Sequence, residues 1–447
     1  MIGFSDFSKN IIALKDTRGA DAARHYIEAT LAQAQNTDSF SPHMRGLIFA
    51  YVAFQDILAG RNYARSKSLA LLGLDLEPKN WRAYYVLAQD ALFCGHKNRL
   101  EHYLNQALDI VPSHRGLLLK YIDFYLGNNR PAPAAKRLEA ANLDPADTLY
   151  VDLRKRIEIC SRKETQSDRC LKGHVMLAGI SHCGSTFFGN FLMAHKQCHY
   201  IGESHRLIML SQNARGSAGL DAGLKYVPCY VCAPRPCTMF TNDFRDDLAE
   251  NMDDFYSKII DRTAADIVIF GDKNYSITRK FDPRGSFKEI VLFKRFENAY
   301  LSHYKRREGS PTDGSPRQGD RLRTPGEYAT TYATNYANLL NEVRSPEQCL
   351  YLNWESFCLN IDRHLPILSD FLGVNLNKNL LGQFSIADHS FGGNSDVNAK
   401  LREKDSQLQP MKPNSLPAKI IREIHGLKQS KIVQTRLMAA YKTSFKF

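Results

Sequence analysis

The stretch that most restricts the fold runs from His174 to His195. His174-Val-Met-Leu-Ala-Gly179 is a short apolar run of the kind a parallel sheet buries on both faces. It leads into Ile180-Ser181-His182-Cys183-Gly184-Ser185-Thr186, and an amphipathic helical pattern follows from Phe187 to His195. A strand, a glycine turn and a helix in that order bring free backbone N–H groups and the positive end of a helix dipole to one point, which makes an anion site. The unit predicts an α/β fold: a P-loop-like parallel sheet flanked by helices.

The spacing Gly179-x4-Gly184-Ser185-Thr186 is that of a Walker A loop with Ser185 where the lysine belongs. That lysine serves the β- and γ-phosphates, so its absence counts against a kinase using ATP or GTP. A donor that carries only a 5′-phosphosulfate has less need of it.

Residues 174 to about 440 resemble the sulfotransferase family, including its tyrosylprotein and bacterial branches. The family's 5′-phosphosulfate loop reads Gly-x-Pro-Arg/Lys-Ser-Gly-Thr-Thr, and Gly179 to Thr186 match it in register. Ser181 replaces the proline, Cys183 the serine and His182 the basic residue. The resemblance implies 3′-phosphoadenosine 5′-phosphosulfate (PAPS) as donor, with Gly184, Ser185 and Thr186 at its 5′-phosphosulfate and no metal requirement. His182 takes the place of the cation that stabilises the departing bridging oxygen, a role it fills when protonated.

The family's 3′-phosphate element pairs a basic residue ending a strand with a serine eight positions on, and Lys294 and Ser302 match it. A cation and a hydroxyl suit a dianion. Arg295 is the alternative ligand. Ile201-Gly202-Glu203-Ser-His-Arg206 resembles the Gly-Glu segment of the tyrosylprotein branch and assigns Glu203 as the base that takes the acceptor's proton. Phe270-Gly-Asp272-Lys273-Asn274, Leu352-Asn-Trp354-Glu355 and Phe371-Leu-Gly373 match further family elements, the last two structural. His389-Ser-Phe-Gly392-Gly393-Asn394 resembles the loop that closes over the nucleotide, placing Gly393 and Asn394 there.

Upstream, Leu/Ile-rich segments end at Pro78, Pro112 and Pro145, spacings of 34 and 33 residues. That period matches tetratricopeptide helix pairs, with proline stopping one helix pair before the next begins. Tyr84, Ala88 and Ala91 fall on one helical stripe and Leu100, Leu104 and Ala107 on another. The region resembles the tetratricopeptide (TPR) family and implies an all-α, TPR-like solenoid that either presents a surface to a peptide or partner protein or caps the second domain.

At 447 residues the chain exceeds one hydrophobic core, so two domains are expected: residues 1–160 as the helical repeat, 161–172 as a polar linker and 173–447 as the sulfotransferase domain. The formal net charge of +12 favours an anionic partner. No nucleic-acid motif accompanies it, and no leader or membrane-length apolar segment occurs, so a cytoplasmic protein is expected. Cys229-x2-Cys232-x4-Cys237 is a half-site for zinc, with redox-active or buried thiols the competing interpretation. Two other functions fit parts of the sequence: a P-loop kinase-like phosphotransferase, and an inactive repeat scaffold whose altered loop is a relic.

Overall fold

The computed structural model describes residues 4–36, 40–60, 62–163, 173–180, 183–204, 237, 239–241, 243–244, 247–248, 255–263, 265–272, 287–308, 323–342, 344–382 and 416–446. Every described residue from 4 to 163 belongs to a helix or a short connection between helices. The helices are α1 (Phe4–Asn36), α2 (Pro42–Leu58), α3 (Tyr63–Leu76), α4 (Trp81–Cys94), α5 (Lys97–Ile110), α6 (Arg115–Gly127), α7 (Pro131–Ala140) and α8 (Thr148–Lys163). The residues 161–163, expected to open a linker, are thus the last of α8.

Local chemistry sets the helix boundaries. Ser41 caps α2 and Pro42 opens it, where a missing N–H costs nothing. Gly95 closes α4 in the left-handed region at φ 77°. Pro78 and Pro112 each stand two residues beyond a helix end. The predicted stripes are real: Ala88, Ala91, Leu100, Leu104 and Ala107 are buried where α4 and α5 pack together.

Helix α1 is not straight. The Phe7 and Tyr26 rings lie 5.9 Å apart and Asn10 Nδ2 donates to Tyr26 Oη at 3.2 Å. In a straight helix, 19 residues would separate them by about 28 Å. The two halves therefore fold back on one another, and Phe7 also packs edge-on against Tyr51 of α2.

Among the described residues, the second half holds five strands: β1 (His174–Ala178), β2 (Cys198–Glu203), β3 (Ile267–Asp272), β4 (Lys288–Phe293) and β5 (Cys349–Asn353). All pair in parallel in the order β2-β3-β1-β4-β5. The helices are α9 (Ser185–Met193), α10 (Phe255–Thr263), α11 (Phe296–Glu308), α12 (Pro325–Asn341), α13 (Trp354–Leu359), α14 (Ile361–Leu372), α15 (Ala418–Gly426) and α16 (Lys428–Phe445). Val175 to Ala178, Ile267 to Phe270 and Ile290 to Phe293 are almost wholly buried, as expected of strands covered on both faces.

The two halves interlock. Helix α12 packs against α2, α4 and α6, and α16 against α3 and α4. A helix leaves its last carbonyls unpaired. At the end of α4, Asn341 Nδ2 donates to Leu92 O at 3.0 Å, and Arg436 Nη1 donates to Leu92 O at 3.0 Å and Phe93 O at 2.7 Å. Gly60 and Gly326 meet backbone to backbone, so that a Cβ on Gly60 would collide with the Gly326 carbonyl. No helix among the described residues is long and apolar enough to cross a membrane.

Candidate active site

The strand order fixes where a ligand can sit. After β1 the chain moves to β2 and returns through β3 on one side of β1, then crosses to β4 and β5 on the other. The C-terminal ends of β1 and β4 therefore flank a topological switch point, where parallel sheets leave a crevice. Gly179 and Ile180 leave β1 there, and Lys294 follows β4.

Helix α9 starts at Ser185, two residues earlier than its apolar pattern suggested, and ends at Met193. It is buried almost all round rather than amphipathic, because it lies between the sheet and later helices. Gly184 caps it at φ 104°, a conformation costly for other residues, and as a glycine it makes no side-chain cap bond. Ser185 is 2% exposed, and its Oγ has no hydrogen-bond partner among the described residues. A buried hydroxyl left unpaired at a helix N-terminus is an unfilled polar position of the kind an anion satisfies. Thr186 is also buried.

Across the crevice, Lys294 and Ser302 are each 8% exposed, and Lys294 Nζ donates to Ser302 Oγ at 3.3 Å. The strand-to-helix corner between β4 and α11 makes this possible by turning residue 302 back over the strand end. Arg295 points outward and is exposed, so the alternative ligand is not the buried one. Burial pushes the Lys294 ammonium below its ordinary value of 10.5, partly offset by Cys183, Glu355 and Cys358 nearby. The Glu355 carboxylate is already engaged. It accepts from Arg295 N at 3.1 Å, Asn298 Nδ2 at 2.7 Å and Asn353 Nδ2 at 2.9 Å. Among the described residues, Lys294 thus holds a buried charge whose hydrogen bond goes to a neutral hydroxyl.

Trp354, which the sequence placed in a structural element, joins the two anchors. Its indole lies 5.7 Å from Lys294 Nζ, and a Cβ on Gly184 would stand 2.8 Å from Trp354 Cε3. Nothing in the sequence signalled this, since 170 positions separate the glycine from the tryptophan.

Glu203 ends β2, 3% exposed, at the same edge of the sheet as the loop, Asp272 and Lys294. Two strand spacings, about 10 Å, separate β2 from β1. The β2 register shifts between Tyr200 and Gly202, a bulge that re-aims the end of the strand. Ser204 Oγ donates to Gly271 O at 3.2 Å and ties that end to β3.

A second group of residues went unnoticed in the sequence. Tyr328, Tyr332 and Tyr336 of α12 recur every four residues, a stripe legible in Tyr328-Ala-Thr-Thr-Tyr-Ala-Thr-Asn-Tyr336, and all three are buried. Tyr332 Oη donates to Lys294 O at 2.9 Å. Tyr336 Oη donates to Leu292 O at 2.9 Å and accepts from Ile180 N at 3.5 Å.

Ser181, His182, Arg206, Cys229, Cys232, Lys273, Asn274, Gly393 and Asn394 lie outside the described residues. Cys237 is described, and its Sγ accepts from Phe240 N. No group of three metal-ligating side chains occurs among the described residues.

No protein-family profile matches the chain, and no curated protein sequence matches it significantly. Solved structures similar to it include a sulfotransferase domain from the olefin synthase of Synechococcus PCC 7002. That domain is 16% identical, with 59% of this chain and 93% of that one covered and a TM-score of 0.40. Another is the sulfotransferase domain from the curacin biosynthetic pathway, 14% identical over 58% of this chain and 98% of that one, with a TM-score of 0.38.

Proposed function

We propose that the chain is a sulfotransferase that moves a sulfuryl group from PAPS to an acceptor hydroxyl. The observation that carries the proposal is the buried Lys294–Ser302 pair facing the helix N-terminus at Gly184 and Ser185 across the switch point. It supplies two separate anion positions, one at each side of the crevice, as a nucleotide with both a 3′- and a 5′-phosphoryl group requires.

In this proposal Ser185, Thr186 and the first N–H groups of α9 hold the 5′-phosphosulfate, and Lys294 with Ser302 holds the 3′-phosphate. Glu203 accepts the proton of the acceptor hydroxyl. The new bond joins the acceptor oxygen to sulfur, and the sulfur–oxygen bond to the 5′-phosphate breaks. Charge then collects on a phosphate already facing N–H donors, with His182 as the added cation. Gly393 and Asn394 close over the nucleotide. The acceptor is a tyrosine of a protein or peptide, or a saccharide hydroxyl. Residues 1–160 form the TPR-like repeat and 173–447 the catalytic domain.

Calorimetric titration with adenosine 3′,5′-bisphosphate, AMP, ATP and ADP tests the assignment. Binding that needs the 3′-phosphate and is lost in Lys294→Ala and Ser302→Ala is the expected result. A preference for ATP with magnesium would replace it with a phosphotransferase, and binding without turnover with an inactive scaffold.

A further inference from the structure

Helix α12 touches both anchors of the proposed nucleotide site on one side and the helical region on the other. Toward the site, the Tyr336 hydroxyl bridges β4 and the phosphate loop by bonding Leu292 O and Ile180 N. One turn earlier, Tyr332 Oη holds the carbonyl of Lys294 itself. Both phenols are fully buried, and burial raises both pKa values well above 10.0, so they stay protonated and able to donate. Toward the helical region, Gly326 in the first turn of α12 lies against Gly60, and Asn341 at its end binds Leu92 O. Thr324 and Glu327 fix where the helix starts through a reciprocal capping box.

We propose that Tyr332 and Tyr336 are positioning residues of the nucleotide site and that residues 4–163 set their placement by holding α12 at both ends. Tyr332 aligns Lys294 with the 3′-phosphate, while Tyr336 aligns the start of the loop that receives the 5′-phosphosulfate. The inference rests on the nucleotide assignment above. It makes the helical region part of the machinery that shapes the site, because Gly60 and Leu92 each meet one end of the helix that carries the two tyrosines.

The chemistry separates the two tyrosines. Loss of the Tyr332 hydroxyl should act on the 3′-phosphate alone, whereas loss of the Tyr336 hydroxyl should act on any nucleotide with a 5′-phosphate. A buried hydrogen bond of this kind changes an equilibrium by about fivefold.

The test is calorimetric titration of the full chain with adenosine 3′,5′-bisphosphate and with AMP, for wild type, Tyr332→Phe, Tyr336→Phe and Gly60→Ala, with thermal melting to show that each variant is folded. Tyr332→Phe is expected to reduce the preference for the bisphosphate about fivefold while leaving AMP affinity unchanged. Tyr336→Phe and Gly60→Ala are expected to weaken both ligands. If Gly60→Ala does not fold, Arg436→Gln takes its place, since it loses the bonds to Leu92 O and Phe93 O. Folded variants that bind both nucleotides as wild type does overturn the inference. Failure of wild type to bind either nucleotide overturns the nucleotide assignment instead.

Discussion

Replacing Lys294 by methionine should separate what this residue costs the fold from what it contributes to binding. Methionine keeps the unbranched shape and drops the charge. Lys294 is 8% exposed and, among the described residues, makes one hydrogen bond, at 3.3 Å to Ser302. Exchanging a buried, poorly compensated charge for a packed apolar side chain is neutral or stabilising by about 1–4 kcal/mol. The lost hydrogen bond offsets about 1 kcal/mol of that. The ligand-free variant should therefore be as stable as wild type or up to about 3 kcal/mol more stable. Binding should change in the opposite direction, because removing one partner of a buried charge pair costs about 2–5 kcal/mol, or roughly 30-fold to several-thousand-fold in Kd. Urea denaturation with and without adenosine 3′,5′-bisphosphate reads both effects. At a ligand concentration of about 100 times Kd, wild type gains about 2.7 kcal/mol. The variant should gain almost none. A ligand-free variant clearly less stable than wild type, with an undiminished response to the nucleotide, would refute the account of Lys294.

Because burial lowers the Lys294 pKa, nucleotide affinity should fall on the alkaline side at a pH below the ordinary lysine value of 10.5, and Lys294→Arg should move that limb upward when titrations are repeated across pH. Glu203→Gln should retain nucleotide binding and slow donor turnover by about 10²–10⁴-fold; unchanged turnover of labelled donor would remove Glu203 from the chemistry. Gly184→Ala places a Cβ against Trp354 at a φ of 104° and should weaken nucleotide binding and cost about 1–2 kcal/mol in urea titrations. His174 is buried, neither ring nitrogen has a hydrogen-bond partner among the described residues, and burial depresses its pKa to about 4. The unfolded chain binds that proton first, so stability should fall as pH drops from about 6.5 toward 4, by up to about 3 kcal/mol. His174→Phe should remove that part of the acid sensitivity between pH 7 and pH 5.

Local signals were the ones the sequence expressed clearly. The strand before Gly179, the strand ending at Lys294 and the helix beginning near Ser185 each follow from composition and turn chemistry within a dozen residues. The eight-residue step from Lys294 to Ser302 translates into contact because a strand-to-helix corner lies between them. Pro78 and Pro112 stand beyond real helix ends for the same reason, since proline acts on the turn next to it. What depends on distant packing was not legible. Trp354 against Gly184, Tyr332 on the Lys294 carbonyl, and Gly60 against Gly326 join positions between 38 and 266 residues apart. The foldback of α1 is hidden for another reason. Its 33 residues form one continuous helical element, and the contacts of Tyr26 with Phe7 and Asn10 show that it doubles back.

The carbonyls at the end of α4 carry a consequence for how the molecule comes apart. Besides the local bond from Gly95 N to Leu92 O, the carbonyls of Leu92 and Phe93 receive hydrogen bonds from Asn341 and Arg436, nearly 250 and more than 340 residues further along the chain. Cutting the chain after α8 would strip both halves at once: α4 would lose the long-range donors to its last turn, and α12 and α16 would lose the surface they bury. The two halves should therefore unfold together in a single transition, and either one made alone should be poorly soluble.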